Sequence, residues 1–172
     1  MSMVRDIVRF LEGEGIKRIL IANSHGGNTD VLKAVLRDMA GEKGIFLGLL
    51  PPGPALPASS GLLGKVLEQP IPAGGEHGGE WETSNMLFLK PGLVRKDRIG
   101  VYPVNHPKID SLEECLVTHV KPWHLHLPAS AGGDSRKASS EKARAIFEEG
   151  VEAWAGLLEE LSKAPESATF PF

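Results

Sequence analysis

Arg18-Ile19-Leu20-Ile21-Ala22, followed at once by Asn23-Ser24-His25-Gly26-Gly27-Asn28, is the stretch whose reading decides the fold. Its first five residues are a short continuous apolar run bounded by turn residues, which predicts a strand buried on both faces. The polar, glycine-rich loop then opens into a helix from about Thr29 to Met39, with Val31, Leu32, Val35, Leu36 and Met39 on its inner face. Upstream, Val4, Ile7, Val8 and Leu11 keep the i, i+3, i+4, i+7 spacing of an amphipathic helix, which Gly13 and Gly15 stop. Downstream, Ile45 to Leu50 reads as the next strand, giving a βαβ unit with the right-handed crossover of parallel strands. In such sheets ligands bind outside the carboxyl ends of the strands, where the His25 loop falls. The pattern predicts an α/β three-layer sandwich with a mostly parallel sheet, in a single domain over residues 1–172.

The second informative stretch is Gly74-Gly75-Glu76-His77-Gly78-Gly79-Glu80-Trp81-Glu82-Thr83-Ser84. Its carboxylates and imidazole cannot all pack in a core, because a buried carboxylate needs partners to offset desolvation. The chain turns apolar after Ser84 (Met86 to Leu89), so Glu82, Thr83 and Ser84 read as the entrance to a helix. A polar loop with a cap leaves Glu76, His77 and Glu80 unexplained, and a metal or acid–base site is the alternative. Trp81 either contacts substrate or packs.

Between these stretches, Pro51 to Ser60 is a surface loop, Ser60 to Leu67 a short helix, and Pro70-Ile71-Pro72 its end. Ile99 to Val104, Leu116 to Val120 and Trp123-His124-Leu125-His126 read as strands. His124 and His126 then share one strand side, exposed to solvent. The loop Ala131-Gly132-Gly133-Asp134 leads to a long helix, capped by Ser139 or Ser140 and ending near Lys163. Its inner stripe is Ala143, Ile146, Phe147, Val151, Trp154, Leu157, Leu158 and Leu161.

Composition narrows the function classes. A net charge of -3, without a basic patch interleaved with aromatics, gives no footprint for nucleic acid. No apolar run is long enough to span a bilayer. The single cysteine, Cys115, excludes an internal disulfide and fits a reducing compartment, so a cytoplasmic protein is expected.

Taken together, the motifs resemble those of the creatininase (creatinine amidohydrolase) family. Asn23-Ser24-His25-Gly26-Gly27-Asn28 is similar to its N-G-H-G-G-N, with Ser24 in place of one Gly. His77-Gly78-Gly79-Glu80-Trp81-Glu82-Thr83-Ser84 is similar to its H-A-G-E-x-E-T-S, and Gly133-Asp134 with Ala138 to Arg144 to its closing motif. The resemblance runs from about Val4 to Leu161. It implies a metal-dependent amidohydrolase that cleaves a C–N bond of a small cyclic amide or formamide through metal-activated water, with zinc, manganese or iron as the divalent metal. It further implies that His25 and Glu80 are metal ligands, that His77 is the catalytic residue near the metal-bound water, and that Glu82, Ser84 and Asn28 support them.

One departure bears on that chemistry. The family's front segment carries an E-x-H pair and a T-D that complete its metal site, and this chain starts beyond that segment. Asp30 after Thr29 reads as a helix N-terminal charge rather than the missing bridge. The expectation is therefore an N-terminally truncated family domain that binds metal incompletely. It self-associates as a homo-oligomer or meets a partner chain that supplies the missing ligands. The alternative is a non-catalytic subunit kept for assembly or binding.

Overall fold

The computed structural model describes residues 1–41, 44–53, 56–57, 60–69 and 77–165. The chain divides into two compact units, Met1–Pro57 with Glu149–Phe172, and Ala58–Glu148.

The first unit is built on the stretch that decides the fold. Helix α1 (Ser2–Gly13) leads to strand β1 (Arg18–Ala22), helix α2 (Thr29–Asp38) and strand β2 (Phe46–Leu50). The strands pair in parallel, Arg18 against Phe46 through Ala22 against Leu50. The fold is thus mixed α/β with a parallel sheet. Val8 of α1, Ile19 of β1, and Val35 and Met39 from α2 and its end form one buried cluster. Val4, Leu11, Ile45 and Leu47 pack against it. An Arg5–Asp38 ion pair at 2.8 Å joins α1 to the end of α2. The expected burial of β1 on both faces is corrected: Ile19 is buried, its neighbours are intermediate, and Ala22 is exposed. Apolar character along a strand records what it is able to bury, and burial itself depends on what is packed against it.

The second unit holds short elements linked by loops. Helices α3 (Leu62–Val66) and α4 (Glu80–Leu89) precede strand β3 (Val101–Tyr102), helices α5 (Ser111–Glu114) and α6 (Trp123–His126), and strand β4 (Gly133–Asp134). β3 and β4 pair antiparallel, Val101 against Asp134. Helix α7 (Ser140–Lys163) starts in this unit, with Ser139 Oγ accepting the Lys142 N–H at 3.3 Å, the cap expected from sequence. Ala143 and Ile146 of α7 are fully buried, and Phe147 meets the Phe88 ring at 5.7 Å. Its stripe is less covered than the periodicity suggests, since Phe147, Val151 and Leu158 are all about half exposed.

Several strand expectations are corrected. Residues 116–120 form no strand; Leu116 has a left-handed φ of 53° and Val120 is 89% exposed. Trp123–His126 is one helical turn, closed by the His126 N–H on Pro122 O (2.9 Å) and the Leu127 N–H on Trp123 O (2.8 Å). The presumed shared strand side of His124 and His126 therefore does not exist. The expected strand Ile99 to Val104 shrinks to Val101–Tyr102. Pro70-Ile71-Pro72, Gly74, Gly75 and Glu76 lie outside the described residues. Among the described residues no helix is long and apolar enough to cross a membrane.

Candidate functional site

The His25 loop belongs to the first unit and follows the carboxyl end of β1, as expected. Its organiser is a residue the sequence reading passed over. Asn23 is buried, and its Oδ1 accepts the His25 N–H at 3.2 Å and the Asn28 Nδ2 at 3.3 Å. Its Nδ2 donates to Thr29 Oγ1 at 3.2 Å, which ties the loop to the start of α2. A single amide that accepts and donates at once is suited to this role. His25 itself is exposed, and its Nδ1 accepts the Gly27 N–H at 3.1 Å, capping the short 3-10 turn Gly26–Asn28. With Nδ1 accepting, the proton of the neutral ring sits on Nε2. Asn28 is exposed and supports the loop through Asn23.

The remaining site candidates belong to the second unit. Helix α4 begins at Glu80, with Gly79 as its cap, and not at Ser84. Glu80 and Glu82 therefore occupy the first turn, where backbone N–H groups and the helix dipole favour carboxylates. Their surroundings differ. Glu82 is exposed, and its Oε2 accepts the Gly78 N–H at 2.6 Å, a reach back from the third helical position. Glu80 is only 2% exposed. Its carboxylate accepts the Glu68 N–H (3.2 and 3.0 Å) and the Gln69 N–H (2.9 Å). The Lys142 ammonium of α7 lies 2.5 Å from its Oε1. That contact raises the Lys142 pKa above its ordinary value, and the Lys142 ammonium in turn lowers the pKa of Glu68, 3.2 Å away.

Ser84, expected at a helix entrance, lies inside α4 and is fully buried. Its hydroxyl donates to Glu80 O (2.6 Å) and accepts the Ser139 N–H (3.1 Å), joining α4 to the start of α7. Trp81 is half-buried.

His77 is half-buried, and its carbonyl accepts the Gly132 N–H at 2.8 Å. A Cβ at Gly132 would lie 2.5 Å from Leu127 Cδ2 and 2.6 Å from Val104 Cγ2, so any side chain there would force these two to shift. Gly78 takes a φ of 71°, turning the chain from His77 into α4. The His77 ring stands edge-on to Trp123, with centroids 4.4 Å apart and planes at 88°. Trp123 is held on α6, where Asn105 binds the turn from both sides: its Nδ2 donates to Leu125 O (2.7 Å) and its O meets His126 Nδ1 (2.8 Å). The sequence offered no signal for this aromatic partner, because Trp123 is distant along the chain and its motif reads as a strand. Past His77, Gly78 and Thr83 form part of the wall of a pocket of about 540 Å³.

These features define an α/β protein with a glycine-flanked histidine loop beside a pocket. The chain belongs to the creatininase family: the model for this family, creatinine amidohydrolase, matches residues 1–158. Among solved structures, it is similar to a protein from Bacteroides fragilis NCTC 9343 that carries the provisional name creatinine amidohydrolase, at 28% identity and a TM-score of 0.73. That match covers 96% of this chain and 62% of the other. A creatinine amidohydrolase (creatininase) matches at 28% identity and TM-score 0.69, covering 95% and 63%. A manganese form of creatininase matches at 29% identity and TM-score 0.68, covering 94% and 63%. The chain thus spans a little under two thirds of the length of these neighbours. No curated protein sequence matches it.

Proposed function

We propose that this chain hydrolyses the C–N bond of a small cyclic amide or formamide, with His77 as the acid–base residue. Family membership over residues 1–158 carries this reading. The placement of His77 supports it: one ring edge lies against Trp123, and Gly78, the next residue, lines the pocket. His77 takes a proton from the attacking water as the oxygen adds to the carbonyl carbon. It then delivers the proton to the leaving nitrogen as the C–N bond breaks. Glu82 holds the turn that positions His77 by accepting the Gly78 N–H.

A divalent metal, zinc, manganese or iron, enters through the relatives, since a neighbour was solved in a manganese form. The donors among the described residues do not fit one as they stand. Among the described residues no group of three His, Cys, Asp or Glu comes together to hold an ion. Glu80 already has a cation, Lys142, against its Oε1, and the His25 Nδ1 is engaged by Gly27. The proton transfers above use this chain's own His77, and further ligands for a metal would have to come from outside the described residues.

A panel of creatinine, other cyclic amides and formamides, assayed with added manganese or zinc, tests the activity. Turnover lost in His77→Ala supports the reading, and turnover unchanged in that variant overturns the role of His77. Mass spectrometric metal analysis with a His25→Ala control should find less than one ion per chain. Two tightly held ions would show that Glu80 exchanges Lys142 for metal. The engagement of Glu80 also favours a second reading, a non-catalytic subunit kept for assembly or binding. Absence of turnover across the panel, with or without metal, would select it.

A further inference from the structure

The pocket beside the His77 loop carries an inference about what the substrate looks like, and it rests on the hydrolase reading. Its charged lining residues are Arg95 and Arg98, and among the described residues no carboxylate lines it. Three of its polar side chains are committed: Thr83 Oγ1 donates to Gly78 O (3.1 Å), and the Tyr102 hydroxyl donates to Arg98 O (2.5 Å). Ser135 Oγ is bonded to both backbone groups of Gly100 at 3.0 Å.

What is left uncommitted is cationic or a hydrogen-bond donor. Arg95 is in none of the ion pairs among the described residues, and Ser130 lines the same pocket. Arg98 reaches Asp97 at 3.4 Å, with both side chains about two thirds exposed or more. An exposed pair of that kind is weak and yields readily to a better acceptor. Ser130 also sits at a left-handed φ of 57°, a conformation that serine seldom adopts and that clusters at ligand sites. Guanidinium groups match the planar fork of an oxyanion and bind it more strongly than a neutral donor does.

We propose that this pocket binds an oxyanion group of the substrate, a carboxylate or a phosphate, through Arg95, Arg98 and Ser130. The substrate class is then an amide carrying an acidic arm. Its C–N bond would face the His77 loop while the arm is held at the pocket.

Titration of the full chain with inorganic phosphate, and separately with acetate, followed by NMR or calorimetry, tests the site without requiring turnover. The wild type should bind one or both anions saturably. The Arg95→Gln, Arg98→Gln double variant should bind at least about 10-fold more weakly, the scale of lost charge-assisted hydrogen bonds. Lys33→Gln, which alters an exposed lysine outside the pocket, should bind as the wild type does, and Arg95→Lys should fall between. Tighter phosphate binding assigns a phosphate-bearing substrate, and tighter acetate binding a carboxylate. Absence of saturable binding, or an equal loss in Lys33→Gln, overturns the proposal. If the chain hydrolyses amides but binds neither anion, this inference fails and the hydrolase reading stands. If it binds the anion at Arg95 and Arg98 but hydrolyses nothing, the site stands and the hydrolase reading fails.

Discussion

Replacing Lys142 with Met removes the cation from a carboxylate that is 2% exposed, while keeping a side chain of similar length. Breaking a buried ion pair from one side costs about 3–5 kcal/mol, because the remaining charge is left without its partner. Two features reduce this. Glu80 keeps the N–H groups of Glu68 and Gln69, and the Lys142 side chain is 19% exposed, so water reaches part of the pair. The expected loss is therefore about 2–3 kcal/mol. With a urea m-value of about 2 kcal/mol/M, this moves the unfolding midpoint down by about 1 M. A cycle with Glu80→Gln should return a coupling of about 1–3 kcal/mol. Alkali should produce part of the same effect. The Lys142 pKa is raised above 10.5 by its contact with Glu80. Its contribution is thus fully present below the unfolded value and is lost as pH rises through the folded one. A midpoint change under about 0.2 M in Lys142→Met would refute the assignment of Glu80 as a buried anchor held by this lysine.

Gly132→Ala should destabilise by about 1–3 kcal/mol in urea unfolding, since its Cβ would clash with the Leu127 and Val104 side chains, and it should shift the NMR signals of His77. The Asp134 carboxyl is held down at about 2, chiefly by hydrogen bonds from Arg136. Its stabilising contribution should be present above the ordinary carboxylate range and be lost as pH falls through about 2, so Asp134→Asn should flatten stability over that acid window, read by circular dichroism. Met3 (73% exposed) and Phe10 (66%) leave an apolar face open on α1, and light scattering at micromolar concentration should show self-association that Phe10→Ser weakens; a clean monomer counts against it.

The parallel strand pair, α2 and the long last helix were legible because each announces itself locally, by an apolar run or a 3.6-residue stripe. What escaped the sequence is what depends on distant partners. Glu80 matches a metal-ligand position in the family motif, while the cation it meets in the structure, Lys142, lies 62 residues further on. Asn23 reads as one polar loop residue among several, and only the folded loop reveals its convergent hydrogen bonds. Trp123-His124-Leu125-His126 alternates as a strand does, yet four residues cannot distinguish that period from one turn of helix, and Pro122 at the cap favours the turn. Ser84 resembles a cap in the sequence, yet α4 begins four residues earlier, at Glu80. In fact Ser84 is buried mid-helix, where its hydroxyl is shared between Glu80 O and the Ser139 N–H.

The two carboxylates of the first turn of α4 show how position divides chemistry within one motif. Glu80 and Glu82 are two residues apart and therefore face different sides of the helix. One side meets α7 and Lys142, so Glu80 is buried, neutralised and made a fixture that holds the backbone at residues 68 and 69. The other side meets the turn after His77, so Glu82 stays exposed, with Oε2 on the Gly78 N–H. The Glu80 carboxylate is already matched by an ammonium and two N–H groups, the contacts of a structural anchor. His77 differs from both carboxylates: its ring packs against Trp123 and its backbone is joined to Gly132, the placement behind the proposed proton transfer. Its test is direct: Glu80 variants should act through stability, while His77 variants should act on the reaction with the fold intact.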